Sequence, residues 1–434
     1  MRNILQHRGL RLIFTANVIS MMGSGLNSAA VTWYVLQATH SETALGLMLM
    51  LQTIPAMLLL PFSGVIIDRE DRRRLVMVLD AARGLVVLTV ALLALSGAAR
   101  LWQVYAMSVL VAAGFWMFWP TMTALIQELT PESEFAHSNS FILAGFQGGW
   151  LIAGAIVGFV YNHIGLGGVL FIDFVTYVLS FTCYLFVRKG RHVVAPQSTQ
   201  HHESEVARFL HELHEGIAYI RLRPRLLLLG SCWALFMGGM LSQGIITAPL
   251  SDRLLKAGAV GYGWLNSGWA VGACLSAFYV PGMLRGTGHR LAIGVAMALL
   301  GTSLISLPYV GAHLHGRIDA AGMAVGIGLM AAVGIYFLMG CCRALGGVAS
   351  TTGMMEMVPK HFMGRVQNTF YFAATALQLG LSFAVGTAAH RLGLAYGFAI
   401  VGGVYLLACL SGTWPAKETR LTGDLSEPIV TANS

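Results

Sequence analysis

Charged residues are scarce in this 434-residue chain: Asp, Glu, Lys and Arg together make up 11% of it, against roughly 25% in soluble domains. So low a fraction over so long a chain excludes an ordinary soluble enzyme, because much of its surface must face something other than water. Cysteine is present but carries no framework. Cys183, Cys232, Cys274, Cys341, Cys342 and Cys409 all fall in apolar runs without C-x-x-C spacing, which implies neither disulfides nor a zinc site. A nucleophile–base motif, a G-x-x-x-x-G-K-[ST] loop and a dinucleotide fingerprint are also missing. ATP-driven transport is therefore disfavoured, and no cofactor is expected. The start MRNILQHRGLRLIF leads straight into a long apolar span with no small-residue cleavage site, so it reads as a retained first helix.

What fills the sequence is apolar: 56% of residues are hydrophobic and the mean hydropathy is +0.69. Stretches of about 20 such residues can cross roughly 30 Å of hydrocarbon at 1.5 Å per residue. Twelve candidates lie near 11–36, 44–67, 75–97, 101–126, 139–162, 168–187, 226–249, 260–284, 289–311, 322–348, 366–388 and 393–413. The stretch from Asp319 to Met357 exceeds one perpendicular helix, so the limits of the tenth span are the softest. An even number of spans puts both termini on one side. With that side cytoplasmic, only Arg100, Arg253, Lys256, Arg317 and Arg391 of the 27 Lys and Arg lie outside, and only Arg83 and Arg343 lie within spans. The positive-inside rule thus sets the orientation and accounts for the net charge of +8 without nucleic acid.

The one long polar segment, 188–225, divides residues 1–187 from 226–413, with 414–434 as a cytoplasmic tail. Within it Val206, Phe209, Leu210, Leu213, Ile217 and Ile220 recur at helical spacing among Arg, Glu and His, which describes an amphipathic helix at the cytoplasmic interface. The flanking parts also resemble each other. Glu128 and Pro131 match Glu356 and Pro359 at one spacing, and with one extra residue Asn139 to Phe141 matches Asn368 to Phe370. The expected fold is therefore an all-α membrane protein of twelve transmembrane helices, duplicated as two six-helix bundles. Internal repeats of this kind mark secondary transporters, whose substrate site lies between the repeats near the midplane.

After the second span the chain reads G-V-I-I-D-R-E-D-R-R-R from Gly64 to Arg74. This resembles the signature loop of the major facilitator superfamily, G-x-x-x-D-R-x-G-R-R, with Asp71 at the usual glycine. Asp80 and Arg83 in span three, F-I-D-F-V-T-Y-V-L-S in span six and L-H-E-L-H-E-G-I-A-Y-I-R-L-R-P before span seven resemble the macrolide-efflux and enterobactin-exporter branch. The resemblance implies a gating role for Asp68, Arg69, Arg72 and Arg73, joining the two bundles when the transporter faces outward. The matching second-half stretch, P-G-M-L-R-G-T-G-H-R, has no acid, so the latch is expected to be one-sided. Gly154-Ala155-Ile156-Val157-Gly158 is similar to the antiporter motif G-P-x-x-G, although small residues permit close helix packing whatever the transport direction.

Polar groups repeating on one face of a span look onto the bundle interior, because lipid cannot satisfy them. Span one carries Asn17, Ser20, Ser24, Asn27 and Tyr34; span four Trp116, Trp119, Thr123 and Gln127; span seven Cys232, Gly239, Gln243 and Thr247; span ten Tyr336, Gly340, Arg343 and Gly347. Spans five and eleven add Gln147, Trp150, Asn368, Tyr371 and Gln378. These are candidate cavity residues, and each can alternatively serve to hold helices together. The set is aromatic, amide-rich and weakly charged, which suits a bulky amphiphilic organic molecule. Four charges lie in the spans, each costing about 2.5–3.5 kcal/mol near the bilayer centre unless it has a partner or a purpose. Asp80 and Arg83, three apart, are expected to form a local ion pair. Asp173, near the outer surface and open to hydration, reads as a proton carrier or a structural anchor. Arg343, with no acid at its level, is expected to face the cavity and attract an anionic group. His211, His214, His313 and His315 lack a third ligand at set spacing and read as solvated.

Together these features point to a monomeric, twelve-helix secondary transporter of the inner membrane, in contact with lipid, that exports a hydrophobic or amphiphilic, drug-like molecule. Proton exchange and rocker-switch alternating access follow from the resemblance. A siderophore or lipid-like substrate on the same fold is the alternative. A non-transporting receptor or scaffold, and a membrane-embedded enzyme, are the rivals from other classes.

Overall fold

A computed structural model describes residues 8–129, 135–187, 205–277, 279–314, 317–320, 323–359 and 363–415. Hydrocarbon cannot accept or donate hydrogen bonds, so a chain this apolar satisfies its backbone within helices. In order these are α1 (Arg8–Thr39), α2 (Glu42–Arg69), α3 (Arg72–Leu95), α4 (Leu101–Leu129), α5 (Phe135–Leu185), α6 (Glu205–Arg221), α7 (Pro224–Ser242), α8 (Gly244–Pro249), α9 (Gly258–Ala277), α10 (Val280–Thr287), α11 (His289–His313), α12 (Ile327–Met357), α13 (Met363–Arg391) and α14 (Leu394–Thr413). Among the described residues, nine segments are long and apolar enough to cross a membrane. Three of the expected spans fall outside those nine, although all three are helical: α1, the first arm of α5 and α9.

Several boundaries differ from the sequence reading for identifiable reasons. Spans five and six are two helical arms of α5, as expected, but they join with no loop between them: the backbone leaves the helical conformation only at Gly165 (φ 63°, ψ −170°), which only a residue without Cβ takes at no steric cost. Span seven runs on past Pro249 through a π-helical turn at Leu250–Leu254, so that it covers Pro224–Leu254. Span ten starts at Ile327, not at 322, because Arg317–Ala320 and Met323–Gly326 pair as an antiparallel hairpin ahead of it. The expected amphipathic helix is α6, and it docks on α13. Gly216 fits against the Arg365 backbone and Thr369, Phe209 meets Phe372 at 6.3 Å, and Glu215 pairs with Arg365 at 2.7 Å.

Helices before the 188–204 segment pack mainly on one another: α1 along α5, α3 on α4 and α5, and α2 on α4. Those after it do likewise, with α9 on α12, α11 on α12 and α14, and α7 on α13 and α14. The two groups meet along two seams, α2 with α13 and α5 with α9. Both seams rely on glycine. A Cβ on Gly158 would collide with the backbone of Ala259 and Val260, and one on Gly46 with the Ser382 carbonyl. Gly158 closes the G-A-I-V-G stretch, so that stretch forms a close helix crossing here.

The apolar interior is unequal at the two ends. Toward the end where α1 passes into α2, one cluster includes Leu36, Leu45 and Val157 together with Ile245, Ala259 and Leu265, and so runs through both groups. Toward the α2–α3 end the core divides. Ile13, Val76, Phe118 and Leu125 form one cluster drawn from helices before the segment, and Leu226, Trp233, Met354 and Val366 another drawn from those after it.

Gly158→Ala is expected to lower stability by about 1–3 kcal/mol, the usual cost of overpacking. Gly403→Ala, where an added Cβ meets nothing within 4 Å, is expected to change little. Thermal unfolding of the two purified variants in detergent checks this pair.

Candidate functional site

The second arm of α5 places Asp173, Tyr177, Ser180 and Tyr184 at helical spacing on one face, and that face packs against α1 and α3. There Asn27 Nδ2 donates to Asp173 Oδ2 at 2.6 Å, and Thr176 Oγ1 donates to the Asp173 carbonyl at 2.7 Å. Ser24 Oγ lies 3.3 Å from the Tyr177 hydroxyl. Arg83 Nη2 pairs with Asp80 Oδ1 at 2.5 Å, while Ser180 Oγ donates to Asp80 Oδ2 at 2.7 Å. The guanidinium also lies 4.3 Å from the Phe118 ring centre and 4.9 Å from that of Tyr177. Gly114 on α4 makes room for the Arg83 stem.

This geometry bears out the Asp80–Arg83 ion pair. It corrects the expectation that Asp173 is open to hydration, since Asp173 is 0% exposed; the bend at Gly165 turns the α5 arm so that the carboxylate faces α1. The α1 stripe turns the same way. Asn17, Ser20 and Asn27 are buried, with Asn27 and Ser24 spent on α5. In this state the stripe joins helices, the alternative that its small polar residues always allowed.

The later helices hold a second polar group. Thr247 Oγ1 lies 2.9 Å from the Tyr336 hydroxyl, and the Tyr405 hydroxyl donates to Gln243 Oε1 at 3.5 Å. Gln243, Tyr336 and Gln378 are buried. Arg343 is half-buried, its guanidinium 4.4 Å from the Trp269 ring centre and its Nε 3.0 Å from Met240 Sδ. Among the described residues no carboxylate pairs with it.

One aromatic group bridges the two sets of helices. Tyr371 on α13 meets Trp116 of α4 edge-on at 5.7 Å and Trp233 of α7 at 6.2 Å. Tyr34 and Trp119 are half-buried, Trp150 is 37% exposed, and Asn368 is exposed. The side chains of Gln147, Asp68 and Arg69 lie outside the described residues. Arg73 caps the end of α5, donating from Nε to the Tyr184 carbonyl at 2.8 Å and from Nη2 to that of Leu185 at 2.6 Å. Arg72 is half-buried beside it, and Asp71 Oδ1 caps α3 by accepting from the Arg74 amide at 3.0 Å.

Sequence reasoning missed Thr176, Tyr177 and Ser180 as partners, although their spacing from Asp173 was a usable signal. It also missed Trp233, Met240 and Trp269, which only packing brings to Tyr371 and Arg343. Among the described residues no group of three His, Cys, Asp or Glu could hold a metal ion.

Apolar helices with carboxylates and guanidinium groups buried between them define a multi-pass helical membrane protein. The family model described as Major Facilitator Superfamily matches residues 13–384. The chain belongs to that superfamily and is a transporter. It is 23% identical over 399 residues to the uncharacterized MFS-type transporter YfiS of Bacillus subtilis, covering 91% of this chain and 90% of that protein. It is 22% identical to Macrolide efflux protein A of Streptococcus pyogenes, covering 93% and 94%. A POT family transporter crystallised with a thioalcohol-conjugated peptide shares the fold, with a TM-score of 0.72, 15% identity and coverage of 93% and 95%.

Asp80→Asn or Arg83→Met alone is expected to destabilise the protein by about 3–5 kcal/mol, since each strands a buried charge. The double variant Asp80→Leu with Arg83→Met should recover most of that loss. Unfolding midpoints of the three variants decide the matter.

Proposed function

We propose that this chain is a secondary active exporter of the inner membrane that moves a hydrophobic or amphiphilic small molecule in exchange for protons. It acts as two six-helix bundles rocking about a central site. The observation that carries the reading is the unequal core: one apolar cluster shared by both groups of helices at the α1–α2 end, and two separate clusters at the other. Alternating access requires such an inequality, which inverts when the bundles rock. The charge distribution supports placing the α2–α3 end, both termini and α6 in the cytoplasm, so the separated end faces the cell interior. Asp68 and Arg69 are assigned to the gate by the signature loop alone, whereas Arg73 contributes by fixing α3 to the end of α5.

Substrate would be held near the midplane between the bundles, as a monomer surrounded by lipid. Trp116, Tyr371 and Trp233 offer aromatic faces contributed by both bundles. Arg343 supplies a positive charge softened by a ring and a thioether rather than cancelled by an acid. The similarity to a macrolide efflux protein favours a bulky amphiphile over a sugar or an ion.

For proton coupling the candidate is Asp173. Its described partners are an amide and a hydroxyl, so a single bound proton neutralises the carboxylate without breaking an ion pair, and releasing that proton restores a charge that Asn27 can still hydrogen-bond.

In proteoliposomes an imposed pH gradient is expected to drive a radiolabelled macrolide uphill. Asp173→Asn should lose that uphill component at least tenfold while keeping substrate-for-substrate exchange. Wild-type protein that ignores the gradient would sink proton antiport. A fully coupled Asp173→Asn would instead make Asp173 an anchor.

Arg343→Gln keeps hydrogen-bonding capacity and removes only charge. Affinity for acidic substrates should fall about tenfold or more, with neutral ones less affected, as read from binding curves. Equal loss for both classes would mark a structural role.

A further inference from the structure

Glu42 is the first residue of α2 and is 0% exposed, although the sequence places it at the edge of a span beside a loop. A carboxylate so buried needs compensation from inside the protein. Both of its partners come from the other group of helices. Arg253, in the π-helical turn after α8, brings Nη1 to 2.6 Å from Oε1, and His390, in the last turn of α13, brings Nδ1 to 3.3 Å from Oε2. The second Arg253 nitrogen, Nη2, donates to the His40 carbonyl at 2.8 Å, so the guanidinium holds the end of α1 and the start of α2 together.

Backbone packing joins the same place. Thr43 Oγ1 donates to the Gly386 carbonyl at 3.3 Å, and a Cβ on Gly386 would strike the Glu42 carbonyl and the Gly46 backbone. The acid also suits its place, since a carboxylate opening α2 faces the positive end of the helix dipole. Arg253 is moreover one of the few basic residues on the side that the positive-inside rule leaves poor in them. Its ion pair with Glu42 gives it a purpose there.

We propose that Glu42, Arg253 and His390 form a charge latch that holds the outer end of the transporter shut and must break for that end to open. Every contact in the latch runs between the two bundles, so it exists only while they touch. When they part, water reaches Glu42 and replaces its partners, which makes the latch specific to one state. This complements the cytoplasmic signature loop and lies at the opposite end of the molecule. Its role in the transport cycle rests on the alternating-access reading above.

The test is hydrogen exchange of full-length protein in nanodiscs, comparing wild type with Glu42→Gln, Arg253→Gln and the double variant. Each single variant is expected to speed exchange about tenfold in segments 38–46 and 384–392, but not in 66–74 or 223–230. The double should exchange more slowly than the sum of the two increments would give, because the Glu42–Arg253 pair is already lost in each single variant. Unchanged exchange in Glu42→Gln, a uniform rise along all helices, or additive increments in the double would each overturn the latch. A rise confined to the outer segments, with no slowing at the inner ends, would uphold the latch and instead count against alternating access.

Discussion

A carboxylate or guanidinium surrounded by hydrocarbon has to find its hydrogen bonds within the chain, and the arrangement of the first helices follows from that constraint. Asp80, Arg83 and Asp173 are all buried, and satisfying them draws α1, α3 and α5 together through Asn27, Ser24, Tyr177 and Ser180. The bend at Gly165 belongs to the same solution, since it lets the chain pass directly from the arm that packs on α9 to the arm that packs on α3. Apolar contacts alone would not single out this arrangement, because lipid tails compete with every leucine on equal terms.

Where the two groups of helices meet, the interactions are of another kind. Small residues at Gly46, Gly158 and Gly386 let backbones touch, and the shared apolar cluster fills in behind them. Contacts of that sort are close and numerous yet individually weak. Charge appears in this seam at its edge, in the partners of Glu42, where water can replace them. Inside a single group of helices, the Asp80–Arg83 pair is sealed from solvent and serves permanence.

Much of the candidate site was legible, though in altered roles. The stripe on α1 was visible as spacing, and the ion pair as two opposite charges one helical turn apart. Whether Asn27 faces a ligand or Asp173 was not legible, since spacing along α1 says nothing of which helix lies opposite. Arg343 was legible as a lone deep charge, but its neighbours Met240 and Trp269 lie on two other helices. Tyr371 was marked as a candidate without any sign that Trp116 and Trp233 would flank it from different groups.

The sequence by itself determined the solvent, the helical class and the family. These depend on composition, on runs of apolar residues and on a contiguous loop, all properties of neighbouring residues. It also determined that buried charge would be rare and would need partners. Tertiary structure alone decided which partners: that Asn27 joins Asp173, that Glu42 leaves its own helices for Arg253 and His390, and that the core is shared at one end and divided at the other. Those outcomes depend on the rotation and crossing of helices distant in sequence, and helix rotation in a bilayer is settled by packing between helices, which no single helix encodes.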